Sequence, residues 1–289
     1  MSRHTITAQT LARRIVQKAS ADVESTEPGA LRDEPDGVHA HRTRVRRLRS
    51  ILSSLERLSD DTVLAETRAT LKPWGQVLGE ARDAEVRAER AEAVMAELGI
   101  DDADARRRLV GDERAEYRHL HARVVEAHET PAGVARRQLI REAGLRIDLD
   151  DAAAKKTFRR LLRRDVDRLA RAARRSDGSL DRLHDVRKAA RRLRYLSEAV
   201  NAADASMLGG DNRRLGRAAK RVHTLLGEHR DDLLLAERAV ETHRRAFTAQ
   251  EATAPYDEIA RHAQIRADAH LERVPKALKK VRAAAKKMG

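Results

Sequence analysis

The sequence predicts an all-α protein made of two similar helical halves, and three observations predict it. Gly and Pro punctuation is sparse and clustered. The stretches between are rich in Ala, Leu, Arg and Glu, all good helix formers. One basic, helix-periodic block occurs twice, and a repeat of that kind governs the reading of the whole chain. Apolar residues make up 41% of the chain with one Trp, three Tyr and two Phe, so the core must come mainly from Ala, Leu and Val. Such residues suit helix interfaces better than strands, and no convincing period-2 pattern appears.

Taken in order, turn chemistry gathers first at Glu27-Pro28-Gly29 and Glu34-Pro35-Asp36-Gly37, and next at Glu129-Thr130-Pro131-Ala132-Gly133. It returns at Ser176-Asp177-Gly178, Gly209-Gly210-Asp211-Asn212 and Ala254-Pro255-Tyr256. These breaks predict about ten helices, several of them long, with irregular links near 25–37, 128–133, 176–179 and 201–212. The chain of 289 residues divides into halves of 1–148 and 149–289. Neither carries a long flexible linker, which predicts that they pack as one body.

The segment His39-Ala40-His41-Arg42-Thr43-Arg44-Val45-Arg46-Arg47-Leu48-Arg49 returns as His184-Asp185-Val186-Arg187-Lys188-Ala189-Ala190-Arg191-Arg192-Leu193-Arg194. Both read H-x-x-R-x-x-x-R-R-L-R. A second block, Leu78-Gly79-Glu80-Ala81-Arg82-Asp83, matches Leu226-Gly227-Glu228-His229-Arg230-Asp231. The first offset carried backward pairs Arg14, Lys18 and Asp22 with Arg159, Arg163 and Asp167, and the second pairs Lys72 with Lys220.

On a helix, with His39 at zero, Arg42, Arg46 and Arg49 fall near 300°, 340° and 280°, so all four share an arc of about 80°. Val45, Leu48, Ile51, Leu52 and Leu55 occupy a separate packing stripe. The second copy places His184, Arg187, Arg191 and Arg194 on one stripe and Val186, Leu193, Leu196 and Val200 on another. Arg47 and Arg192 point elsewhere on the wheel, at about 80°. A single basic stripe reads as a solvated face. A stripe repeated at fixed spacing in a duplicated fold is different, because the two copies can face each other across a pseudo-two-fold axis. Guanidinium forks suit phosphate oxygens, so a linear polyanion is the expected partner. Arg14 and Lys18, like Arg159 and Arg163, are four apart and share a face that could extend the lining. His39 and His184 taken alone read as structural histidines. The L-G-E-x-R-D carboxylates Asp83 and Asp231 read as orienting groups, with Arg82 and Arg230 as possible ligand contacts.

At these residues the sequence resembles the CHAD family, the conserved histidine α-helical domain, over essentially its whole length. The resemblance implies two similar helical bundles related by internal pseudo-two-fold symmetry and a basic central channel that binds inorganic polyphosphate. It implies contacts from His39, Arg42, Arg46, Arg49, His184, Arg187, Arg191 and Arg194. Lys188 joins them in the second copy alone, where its counterpart is Thr43. Family members are often fused to a triphosphate-tunnel domain with an E-x-E-x-K signature. This chain shows none, which gives the expectation of a stand-alone member.

The formal net charge of +14 fits an acidic partner. Nucleic acid is the alternative ligand, weakened by the scarcity of aromatics for base stacking and by the lack of a helix-turn-helix or zinc pattern. An enzyme is not expected. The twelve histidines are scattered without H-E-x-x-H spacing, and only His41, His119 and His121 suggest even adventitious metal. No cofactor is expected, and no cysteine is available for disulfides or thiolate chemistry. No apolar run suits a signal peptide or a membrane span, so the expected location is cytoplasmic, at polyphosphate granules if the ligand directs it.

Overall fold

The computed structural model describes residues 6–58, 62–149 and 152–288. Among them there is no strand, only an isolated bridge between Thr7 and Ala153. Eleven α-helices and one π segment are described: α1 Ala8–Leu31, α2 Gly37–Leu55, α3 Val63–Leu98 and α4 Ala103–Arg106, then the π segment Arg107–Gly111. There follow α5 Asp112–Glu129, α6 Pro131–Ala143, α7 Ala154–Arg174, α8 Leu180–Ala203, α9 Gly209–Thr248, α10 Ala254–Glu272 and α11 Val274–Lys287.

Two compact units emerge in space. The first gathers 1–76, 126–223 and 276–289, and the second 77–125 and 224–275, so each draws on both sequence halves. In the first unit α1 packs on α2, α6, α7 and α8, and α8 packs on α2 and α7. The buried stripe of α2 is Val45, Leu48, Ile51, Leu52 and Leu55, as the wheel requires, and α8 buries Val186, Leu193, Leu196 and Val200. The first turns of α1 and α7 are tied reciprocally: the Ala8 N–H donates to Ala152 O at 2.7 Å and the Ala154 N–H to Ile6 O at 3.1 Å. In the second unit Val94, Met95, Leu109 and Val110 pack with Leu235, Ala239, Tyr256, Ile259 and Ala263.

Three of the four predicted links are shorter in the structure, and the one expected at 176–179 runs over 175–179. Helix α1 runs through Pro28 to Leu31, so the first break is 32–36 rather than 25–37. In the last turn of a helix Pro forfeits one backbone hydrogen bond, and its fixed φ is already helical. The reversal itself uses Asp33 and Asp36 at φ of 53° and 59°. It also needs Gly37, where a Cβ would lie 2.5 Å from Gly29 O. The break expected at 201–212 contracts to 204–208. Asn212, fully buried, bonds to Ser197 and Asn201 and holds the first turn of α9 against α8. The break at 128–133 is a cap: Thr130 Oγ1 accepts from the Gly133 N–H at 3.1 Å, with Pro131 as the first helical residue.

Candidate functional site: an arginine-lined cavity

Within the first unit, α2 and α8 bring the two copies of the basic block together. Arg191 is half-buried. Its guanidinium is pushed down to about 10 by loss of water, and then by Arg46, with smaller pushes from Arg187 and Arg49 against an opposing pull from Tyr195. Burial and the neighbouring Arg68 likewise lower Arg49. The buried Nε atoms of Arg46 and Arg49 find no acceptor among the described residues.

Beside this cluster lies a cavity of about 570 Å³, within the range of ligand pockets, which is roughly 300–1,000 Å³. Its wall is cationic rather than apolar. Arg46 and Arg49 come from α2, Arg68 from α3, Arg168 and Arg171 from α7, and Arg175 from the residue capping α7. Arg182, Lys188, Arg191 and Arg192 come from α8. Against these ten cations the described lining has one carboxylate, Asp185, which Lys188 already holds at 2.9 Å. Like charges at this density repel one another and disfavour their own charged forms.

Of the residues singled out from the sequence, Arg46, Arg49, Lys188 and Arg191 line the cavity. Arg187 and Arg194 stand next to them, near enough to act on His223. His39 is exposed, and Arg42 and His184 are half-buried outside the lining. Arg14, Lys18, Lys72, Arg163 and Lys220 are exposed, and Arg159 is half-buried, all outside the lining too. Arg82 and Arg230 belong to the second unit; Arg82 is held by Glu85 at 2.8 Å and Glu89 at 3.1 Å, and Arg230 is exposed. In the same unit Glu80 holds Arg123 at 2.9 Å, and Glu228 holds Arg90 at 2.6 Å.

Arg192 is a correction. The wheel turned it away from the basic stripe, yet it reaches the cavity wall, because its long side chain crosses to α2. There it donates to Ser53 Oγ at 2.7 Å and Ser54 Oγ at 3.2 Å, and its charge meets Asp165 of α7 at 3.4 Å. Burial raises the Asp165 carboxyl, with Arg192 and Arg57 pulling the other way.

The sequence reading passed over Arg68, Arg168, Arg171, Arg175 and Arg182. A signal was present for α7: Arg164, Arg168, Arg171 and Arg175 recur at four, three and four residues, one face of a helix. The 145-residue offset that carries His39 to His184 hides them, since it takes Arg168, Arg171 and Arg175 to Val23, Thr26 and Ala30. A different network joins α1, α2, α3 and α6 outside the cavity lining. The Trp74 Nε1–H donates to His41 Nε2 at 2.9 Å, so His41 carries its proton on Nδ1, 3.1 Å from Thr26 Oγ1. Arg136 lies 3.9 Å from the Trp74 ring centroid and 3.2 Å from Glu27. Burial, outweighing Glu27, lowers the His41 pKa to about 4. His41 is thus a structural histidine with both ring nitrogens engaged. No group of three or more metal-ligating side chains occurs among the described residues, and no described helix is long and apolar enough to cross a membrane.

Comparison with known proteins places this geometry in a family. The CHAD domain family model matches residues 14–240. Two uncharacterized proteins of Mycobacterium tuberculosis are each 28% identical over 274 residues, covering 86% of this chain. The chain spans about half of their length, 50%. The crystal structure of the CHAD domain from the plant Ricinus communis superposes with a TM-score of 0.69 at 20% identity, covering 97% of this chain and 92% of that one. PptA from Streptomyces chartreusis gives 0.65 at 19% identity, covering 96% and 99%. Those two likenesses show a shared fold, and with the family match over most of the sequence they identify the chain as a member of the CHAD domain family.

Proposed function

We propose that this chain binds inorganic polyphosphate in the arginine-lined cavity of its first unit and does so without catalysis. The observation that carries the reading is the ten-to-one balance of cations over carboxylates among the described residues lining about 570 Å³ of space. Polyphosphate offers only charge and spacing, and both are met by guanidinium forks that grip non-bridging oxygens in pairs. Each charge-assisted hydrogen bond contributes about 1.5–3 kcal/mol. A filled cavity also relieves the repulsion that lowers Arg191. In this reading the protein is an adaptor that the polymer recruits to its granules, and it needs no metal or cofactor.

The test is charge reversal at Arg46 and Arg191, with Arg14 and Lys18 on an exposed face as controls. The first pair loses most of its polyphosphate affinity, by two orders of magnitude or more if at least two such contacts of about 1.5–3 kcal/mol are removed. The control pair keeps nearly all of it. Equal losses in the two pairs defeat the assignment of the cavity. Tighter retention of DNA than of polyphosphate at equal charge defeats the choice of ligand, and release of phosphate by the pure protein defeats the absence of catalysis.

A further inference from the structure

We propose that His223 of α9 is a ligand-binding residue of this site, donating its Nε2–H to a phosphate oxygen held among Arg46, Arg187, Arg191 and Arg194. The inference rests on the polyphosphate reading and adds a residue, of a different chemical kind, that neither repeated block contains.

Geometry fixes the tautomer. His223 Nδ1 lies 3.4 Å from Arg194 Nη1, and a guanidinium has donors only, so Nδ1 presents its lone pair and the proton sits on Nε2. That Nε2 is buried in a residue only 7% exposed and meets no acceptor among the described residues. A buried donor without a partner costs about 1–3 kcal/mol. The groups facing the ring are cations: Arg187, Arg46, Arg194 and Arg191, in falling order of influence. Glu198 is already occupied by Arg194 at 2.7 Å. The hydroxyl of the adjacent Tyr195, its ring centroid 6.5 Å from that of His223, is also buried without a partner among the described residues. Such a nest requires a species that only accepts hydrogen bonds, and an ionised phosphate oxygen does.

Burial and the four arginines hold His223 down to about 2, so it meets the ligand as a neutral donor. The offset of the second block takes His223 to Gly75, where the Arg49 guanidinium fills the space, 3.2 Å from where a Cβ would stand. The imidazole therefore belongs to one side of the site only.

Neutrality gives the proposal a signature. Polyanion affinity falls with salt in proportion to the cations that displace counterions, and a neutral donor displaces none. In the whole chain, with inorganic polyphosphate of defined length, His223→Ala weakens binding about tenfold at every salt concentration and leaves the slope of log affinity against log salt unchanged. His223→Gln, which restores an amide donor, recovers most of the loss. Arg46→Gln lowers both affinity and slope. If wild type binds and His223→Ala binds equally well, or loses slope, the inference is overturned while the polyphosphate reading stands. If wild type does not bind polyphosphate, both fall. Should His223→Ala fail to fold, the imidazole 15N and N–H resonances of the wild type decide: a shift of Nε2–H on titration supports the contact, and an unmoved resonance overturns it.

Discussion

Arg191 carries its charge in surroundings that disfavour it. Burial and Arg46 both push the guanidinium toward neutrality. Replacing a poorly compensated buried ion by an apolar side chain of similar length stabilises by about 1–4 kcal/mol in known cases. Arg191→Met is therefore expected to raise the melting temperature of the ligand-free protein while weakening polyphosphate binding. A lowered melting temperature would mean that Arg191 has a partner stabilising it in the free state. His41 makes the opposite kind of statement, about pH. Its folded pKa of about 4 lies below the ordinary 6.5, so the unfolded chain binds the proton more readily. Stability is then complete above pH 6.5 and is lost as pH falls toward 4, by roughly 3 kcal/mol from this group. Melting temperature followed from pH 7.5 to 4 should fall, and His41→Gln should flatten the descent. His223, held lower still, adds to the same trend.

At the scale of the elements, Asp165 joins three helices. From α7 it faces Arg192 of α8 at 3.4 Å, Arg57 just past α2 at 3.7 Å and Ser54 of α2 at 3.5 Å, while itself only 1% exposed. Removing one partner of a buried pair strands the other, at a cost of about 3–5 kcal/mol. Asp165→Leu should be destabilised by that amount in chemical denaturation, and Asp165→Leu with Arg192→Met should regain much of it. If the double variant is no better than the single, Arg192 is sufficiently solvated to stand alone. The same contact explains a failure of the helical wheel. A wheel fixes the direction in which Cα–Cβ leaves the helix. Arg192 extends several bonds beyond that and bends to the nearest carboxylate.

At the scale of the molecule, the net charge of +14 makes ionic strength the principal control on any polyanion complex. Affinity for polyphosphate should fall steeply from 50 to 500 mM salt, and the slope in a fluorescence titration counts the phosphates neutralised, by analogy with nucleic acids. A flat response would remove charge as the basis of binding. The halves read from the repeat and the units formed in space divide the chain differently. Helices α3 and α9, of 36 and 40 residues, each contribute to both units, so a boundary drawn along the sequence does not follow one drawn by contact.

Helical class, the two basic ridges and their apolar stripes were fixed by periodicity, since which residues share a helix face depends on the local backbone alone. That is why Arg46, Arg49 and Arg191 were legible without coordinates. The arginines of α7 were written at helical spacing too, but the repeat drew attention to Arg159 and Arg163, a different face of that helix. Other features depend on where helices distant in sequence come to rest: the cavity beside α7, the reach of Arg192 to Ser53, and the stacking of Arg136 on Trp74. The buried Nε2 of His223 belongs with them, because burial and the lack of an acceptor among the described residues are properties of the packed fold and not of any segment.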